Sequence, residues 1–189
     1  MQTALSKQAE QDTDDRQLMA AITLGDDAAF ATLVRRHTAR FYRLAYRFVA
    51  NQQEAEDIVQ DAFIRLWEKP ANWNPDAGSA FTTWFHRVVI NLSLDRQKKK
   101  KPLPLIDEAQ LVDMRDTQEE IIIARQKQQR IEAELAALPE RQRVALNLCF
   151  YEGLSNQEAA DIMKLKLKAL QSLLMRAKTT LKQNLIGKE

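Results

Sequence analysis

An all-α protein is predicted, built as two small helical domains joined by a flexible linker, the C-terminal one a helix-turn-helix. Three observations predict it. The 189 residues include only four glycines and five prolines, and strong helix formers (Ala, Leu, Gln, Glu, Lys and Arg) abound. Apolar residues recur at three- and four-residue steps, the signature of helices with one buried face. Between two such periodic regions lies an acidic stretch, residues 106–120, carrying Asp107, Glu108, Asp113, Asp116, Glu119 and Glu120. The expected division is a loose tail at 1–14, a first domain at 15–101, a linker at 102–120 and a second domain at 121–189.

In the first domain the opening helix follows Phe30, Leu33, Val34, Phe41, Leu44, Ala45 and Phe48. Another follows Ile58, Val59, Ala62, Phe63, Leu66 and Trp67 and stops before Pro70, with Glu54, Glu56, Asp57, Gln60 and Asp61 on its other face. The turn-forming run PANWNPDAGS comes next. A third helix then begins near Ser79 or Ala80, with Trp84, Val88, Asn91 and Leu92 expected on one side, and runs out into Lys98, Lys99, Lys100 and Lys101.

In the second domain Pro139 suits a helix start, and Val144, Ala145, Leu148 and Cys149 form an apolar stripe. Gly153 is placed to end that helix in the left-handed conformation. Ser155 and Glu158 have capping-box spacing and should start a short helix through Ala159, Ala160 and Ile162. A longer basic helix follows, buried through Leu170, Leu173 or Leu174, Ala177 and Leu181. Short helix, tight turn and longer basic helix make a helix-turn-helix.

Charge and chemistry narrow the function. The hydrophobic fraction of 45% and charged fraction of 29% belong to a folded, water-soluble chain. The net charge of +2 says little, but its distribution says more: lysines crowd the end of the first domain, and Lys164, Lys166, Lys168, Arg176, Lys178 and Lys182 crowd the last helix. A lone cysteine, Cys149, excludes an intrachain disulfide and a cysteine zinc site, and it reads as a core residue. His37 and His86 lack ligand-like neighbours, so no metal, cofactor or catalytic residue is expected. The polar N-terminus and the absence of a long apolar run predict a cytoplasmic protein with no membrane insertion.

Two DNA-reading surfaces are expected. On the last helix, Lys166, Lys168, Gln171, Ser172, Met175 and Arg176 would face the major groove, with Arg176 and Gln171 suited to bidentate contacts on guanine and adenine edges. In the first domain Trp73, Phe81, Trp84, His86, Arg87 and Asn91, with Arg96, Lys98, Lys99 and Lys100, combine aromatic faces and cations. Single-stranded DNA is held by that combination, at about 1 to 3 kcal/mol per stacked base. The plain alternatives are aromatics that are simply core and lysines that form a solvated tail.

Three segments in order, EAEDIVQDAFIRLW, FTTWFHRVVINLSLDRQKKKK and LPERQRVALNLCFYEGLSNQEAADIM, resemble the extracytoplasmic-function group of sigma-70-like RNA polymerase sigma factors. The resemblance runs from about Asp15 to Lys182. It implies that Glu54, Asp57, Gln60, Asp61 and Arg65 dock on core RNA polymerase. The loop at 69–80 and the helix after it would then capture and melt the minus-ten element of promoter DNA, and the helix-turn-helix would read the minus-thirty-five element. It also implies an anti-sigma factor as a regulating partner. One departure is Lys164, where the family usually places glycine. A non-glycine residue in a left-handed turn costs about 1 to 2 kcal/mol, so a differently shaped turn is expected. Two other classes remain open: a helix-turn-helix regulator that never docks on polymerase, and a metal-dependent enzyme around Glu56, Asp57 and Asp61.

Overall fold

The structure is a computed structural model that describes residues 14–74, 80–99, 131 and 133–186. The expected tail and acidic linker, together with Lys100 and Lys101, lie outside the described residues. Among the described residues there is no strand, and no helix is long and apolar enough to cross a membrane.

The first module contains α1 (residues 14–23), α2 (Asp27–Val49), α3 (Gln52–Glu68) and α4 (Phe81–Lys99). Side chains set the helix starts. The Asp26 carboxylate accepts from the N–H groups of Ala28 and Ala29 at 2.8 and 2.9 Å, and Asn51 caps α3 by accepting from Glu54 N–H at 2.9 Å. Both satisfy donors that a helix start leaves without partners. The core is where α2, α3 and α4 meet, around Leu33, Phe41, Leu44, Ile58, Leu66, Phe81, Phe85 and Val89, all essentially inaccessible. Phe41 meets Phe85 edge to face at 4.7 Å, a favoured aromatic geometry.

The periodicity of α2 and α3 places their buried faces as expected, except that Trp67, at the end of the α3 stripe, is exposed. Helix α4 differs from the expected pattern. Phe81, Phe85, Val89 and Leu92 are buried, whereas Trp84 and Val88 are half-buried and Asn91 is exposed. This helix carries apolar residues around most of its circumference, so spacing alone does not single out the face toward the core. Helix α1 is anchored by a buried carboxylate: Asp15 accepts from Arg36 at 2.6 Å and pairs with His37 Nε2 at 2.8 Å.

The second module contains α5 (residues 133–137), α6 (Glu140–Leu146), a wide π turn (Asn147–Tyr151), α7 (Asn156–Ile162) and α8 (Leu167–Ile186). The π turn shows in the bond from Glu152 N–H to the Asn147 carbonyl at 3.0 Å, five residues back rather than four. Gly153 has φ +67° and ends this helix as expected. The capping box is complete: Ser155 Oγ accepts from Glu158 N–H at 3.2 Å, and Glu158 Oε2 accepts from Ser155 N–H at 2.8 Å. Leu174 rather than Leu173 is the buried leucine of α8, with Leu170 and Ala177.

The turn between α7 and α8 keeps the left-handed residue that glycine would serve. Lys164 adopts φ +52° and absorbs the strain in place of a reshaped turn. Replacing Lys164 with glycine removes the steric cost of a Cβ in this region, partly offset by glycine's greater freedom when unfolded. A gain of about 1 kcal/mol or less is expected, measurable as a higher melting midpoint by circular dichroism.

Candidate nucleic-acid and polymerase interfaces

The exposed face of α8 is continuous. Lys168, Gln171, Ser172, Met175 and Arg176 are all exposed, and their three- and four-residue spacing puts them on one side of the helix. Lys166 is exposed just before it. Met175 leaves 64% of its surface open, an apolar side chain between polar ones that can meet a thymine methyl. The opposite side of α8 is held on α6 and α7 by Leu170, Leu174 and Ala177, so the face is fixed by packing.

The front surface requires a correction. Phe81 and His86 are inaccessible and Trp73 is 5% exposed, so these three are core and have no open face on which a base could stack. Phe81 stacks on Phe85 at 5.2 Å, and Trp73 meets Phe81 edge-on at 6.1 Å. His86 Nδ1 lies 2.6 Å from the Thr82 carbonyl, which fixes its ring. What remains accessible is Trp84, half-buried, with Asn91 and the cations Arg87, Arg96, Lys98 and Lys99. Three of those cations have partners: Arg96 lies 3.8 Å from Asp57, Lys98 lies 3.5 Å from Glu140, and Arg87 bonds two backbone carbonyls.

On α3, Gln60, Asp61 and Arg65 are exposed and Glu54 and Asp57 are half-buried. Beside them stand two exposed apolar side chains, Ile64 at 52%, off the buried stripe, and Trp67 at 39%, which the spacing places on it. Trp67 rests against Phe30 at 4.9 Å, which holds its ring in place at the edge of the patch. Such an apolar centre with a charged rim is the usual anatomy of a protein-binding surface.

The two modules meet along a polar seam centred on Glu152. Its carboxylate side chain is 6% exposed, bonded by Arg40 Nε at 3.1 Å and Arg47 Nη1 at 2.8 Å. His86 Nε2 stands 3.7 Å away, beyond hydrogen-bond reach, so its influence is electrostatic. Arg47 also covers the Tyr151 ring at 4.6 Å. Burial alone would push the Glu152 carboxyl up, but neighbouring His86 and Arg40 outweigh it and hold the group at about 2. The folded value lies below the ordinary 4.5, so the stability Glu152 lends is complete above that pH and is lost as pH falls through about 2. The stability difference between wild type and Glu152→Gln is therefore expected to be largest at neutral pH and to fade between 4.5 and 2, read from urea unfolding along a pH series.

Cys149 is half-buried, with its sulfur 3.6 Å from Asn156 Oδ1. Burial raises its thiol pKa despite nearby Lys178, which leaves little reactive thiolate. Among the described residues no group of three or more His, Cys, Asp or Glu side chains is placed to hold a metal ion.

A helix-turn-helix with an exposed basic face, joined to a helical module with an exposed apolar patch, has the surfaces of a DNA-binding protein that works with a protein partner. Similarity to known proteins gives the family. The profile described as Sigma-70 region 2 matches residues 33–102, and Sigma-70, region 4 matches residues 128–181. The chain is 31% identical over 169 residues to the ECF RNA polymerase sigma factor SigM of Mycobacterium tuberculosis, covering 88% of this chain and 82% of that protein. It is 34% identical to the ECF sigma factor SigE of Mycolicibacterium smegmatis, covering 85% of this chain but spanning only 64% of that longer protein. Among solved structures it is similar to CnrH in complex with the cytosolic domain of CnrY, at 26% identity and a TM-score of 0.71, covering 93% of this chain and 99% of CnrH. The chain belongs to the extracytoplasmic-function sigma factors of the sigma-70 family.

Proposed function

We propose that this chain directs core RNA polymerase to a two-element promoter, with its roles divided among the three surfaces described above. The patch of Glu54, Asp57, Gln60, Asp61, Ile64, Arg65 and Trp67 docks on the polymerase. The α8 face reads the minus-thirty-five element, and Trp84, Arg87, Asn91, Arg96, Lys98 and Lys99 grip the minus-ten strand once it is open. The observation that carries this reading is the exposed run Lys168, Gln171, Ser172, Met175 and Arg176 on the second helix of a helix-turn-helix, in a chain whose other module matches sigma region 2.

The work is binding rather than bond making. Extruding a base costs a few kcal/mol of unstacking, to be offset by stacking on the single strand and by pairing of cations with its phosphates. We extend the reading to a cytoplasmic setting, where polymerase and promoter are found, and to control by an anti-sigma factor. The solved relative CnrH is held by the cytosolic domain of another protein, and a partner of that kind here would act by covering the same docking surfaces.

In vitro transcription with purified core polymerase on a library of random promoter fragments tests the reading. Transcripts that start downstream of a shared two-element motif only when this protein is added support it. Good duplex binding with no new initiation would establish a plain helix-turn-helix regulator instead. In the same assay, Gln171→Ala or Arg176→Ala is expected to relax preference at one minus-thirty-five position each, by about 1 to 3 kcal/mol. A uniform loss across all promoters would assign these side chains to phosphates.

A further inference from the structure

The seam between the modules treats the two DNA-reading surfaces unequally. Arg87 donates from Nε to the Ile162 carbonyl at 3.0 Å and from Nη2 to the Asp161 carbonyl at 2.5 Å. Both carbonyls close α7, at a helix end where carbonyls carry partial negative charge. The Nε and Nη2 edge of a guanidinium is an edge that takes a phosphate in a two-bond fork, so here that edge is occupied by protein backbone. Farther along the seam Lys98 lies 3.5 Å from Glu140. Arg143 donates to Gln97 Oε1 at 2.5 Å, and Gln97 in turn donates to the Phe48 carbonyl. The groove-reading residues of α8 are all exposed and none belongs to this seam.

We propose that the seam is an autoinhibitory latch that withholds Arg87 of α4 from single-stranded DNA while leaving α8 free to meet duplex DNA, and that Glu152 is the group that keeps it shut. Glu152 is suited to that role because the two arginines that bond it, Arg40 and Arg47, come from α2 of the other module, so parting the modules strips both from a buried carboxylate. Opening then exchanges protein acceptors for nucleic-acid phosphates at the same N–H groups. The latch rests on the reading that α4 grips the minus-ten strand, and it adds that the chain alone holds this grip closed.

The test uses the full chain carrying Cys149→Ser, with spin labels attached at Gln53→Cys and Gln183→Cys, both exposed and in different modules. Glu152→Gln is expected to lengthen the distance between labels and to tighten binding to a labelled random-sequence single strand about tenfold, as expected when the competent state rises from a tenth to most of the population. Affinity for a random-sequence duplex should change by less than about twofold. Because Glu152→Gln also adds net positive charge, Arg40→Gln/Arg47→Gln is the counterpart: it opens the same seam while removing positive charge, and it too should tighten single-strand binding. An unchanged label distance, a longer distance without tighter single-strand binding, an equal tightening on duplex, or weaker single-strand binding by the double variant would each overturn the latch. Promoter-specific transcription by wild type alongside any of those results overturns the latch alone. Absence of transcription by both wild type and Glu152→Gln overturns the sigma reading on which it rests.

Discussion

Asp15→Ala is expected to destabilise the first module by about 3 to 5 kcal/mol, the usual cost of removing one partner from a buried ion pair. The Asp15 side chain is inaccessible and is shared between Arg36 and His37, whose own side chain is 3% exposed. His37 lies against the rings of Phe41 at 5.9 Å and Phe81 at 5.4 Å, so its nitrogen has no route to water once the carboxylate is gone. Arg36 keeps a second partner in Asp14 at 2.8 Å, but that aspartate is 59% exposed. Asp14→Ala should therefore cost less than about 1 kcal/mol. Urea unfolding followed by tryptophan fluorescence separates the two cases, because Trp67, Trp73 and Trp84, the only three tryptophans, all lie in the first module. Equal midpoints for the two variants would contradict the assignment of Asp15 as the anchor of α1.

The second large effect concerns docking. Ile64→Asp should weaken association with core polymerase by at least about 2 kcal/mol, roughly thirtyfold, as expected for a residue at the apolar centre of an interface. Ile64 is 52% exposed, so the same change should leave unfolding midpoints within about 0.5 kcal/mol of wild type. Titrating labelled protein with core enzyme gives the first number and urea unfolding the second. Normal affinity in the variant would move the docking surface away from this face of α3. Trp67 is a less clean choice, since its ring also supports Phe30 and its removal would disturb the fold.

Much of the architecture is legible in the residues. The Ser155 and Glu158 box, the left-handed Gly153 and the leucine spacing of α8 are local signals, each set by a few neighbouring groups. Helices α2 and α3 are legible for the same reason, with one apolar stripe apiece. Helix α4 is not, because Phe81, Trp84, Phe85, Val88, Val89 and Leu92 spread around the helix and only packing against α2 and α3 decides which of them is covered. That is why spacing and composition put Phe81 and His86 at the DNA while both lie in the core. Ile64 is the opposite case: an isoleucine outside the buried stripe carries no local mark that sets a docking centre apart from an incidental exposed side chain. The seam has no local signal at all, since Arg40 and Glu152, like Arg87 and Ile162, are brought together from distant parts of the chain.

The π turn at Asn147–Tyr151 bears on how this chain could vary. A five-residue hydrogen-bonded step accommodates one extra residue in a helix without advancing the screw by the usual 100° or so. The angular phase of the residues just after Tyr151 therefore depends on the turn staying wide. Rewinding the turn as ordinary α-helix with every residue kept would advance the screw by that extra step and swing Glu152 by about a quarter of a revolution, away from Arg40 and Arg47, with no change to the carboxylate itself. The winding of this one turn can thus act as a coarse dial on how firmly the two modules hold each other, independent of any charge on their surfaces.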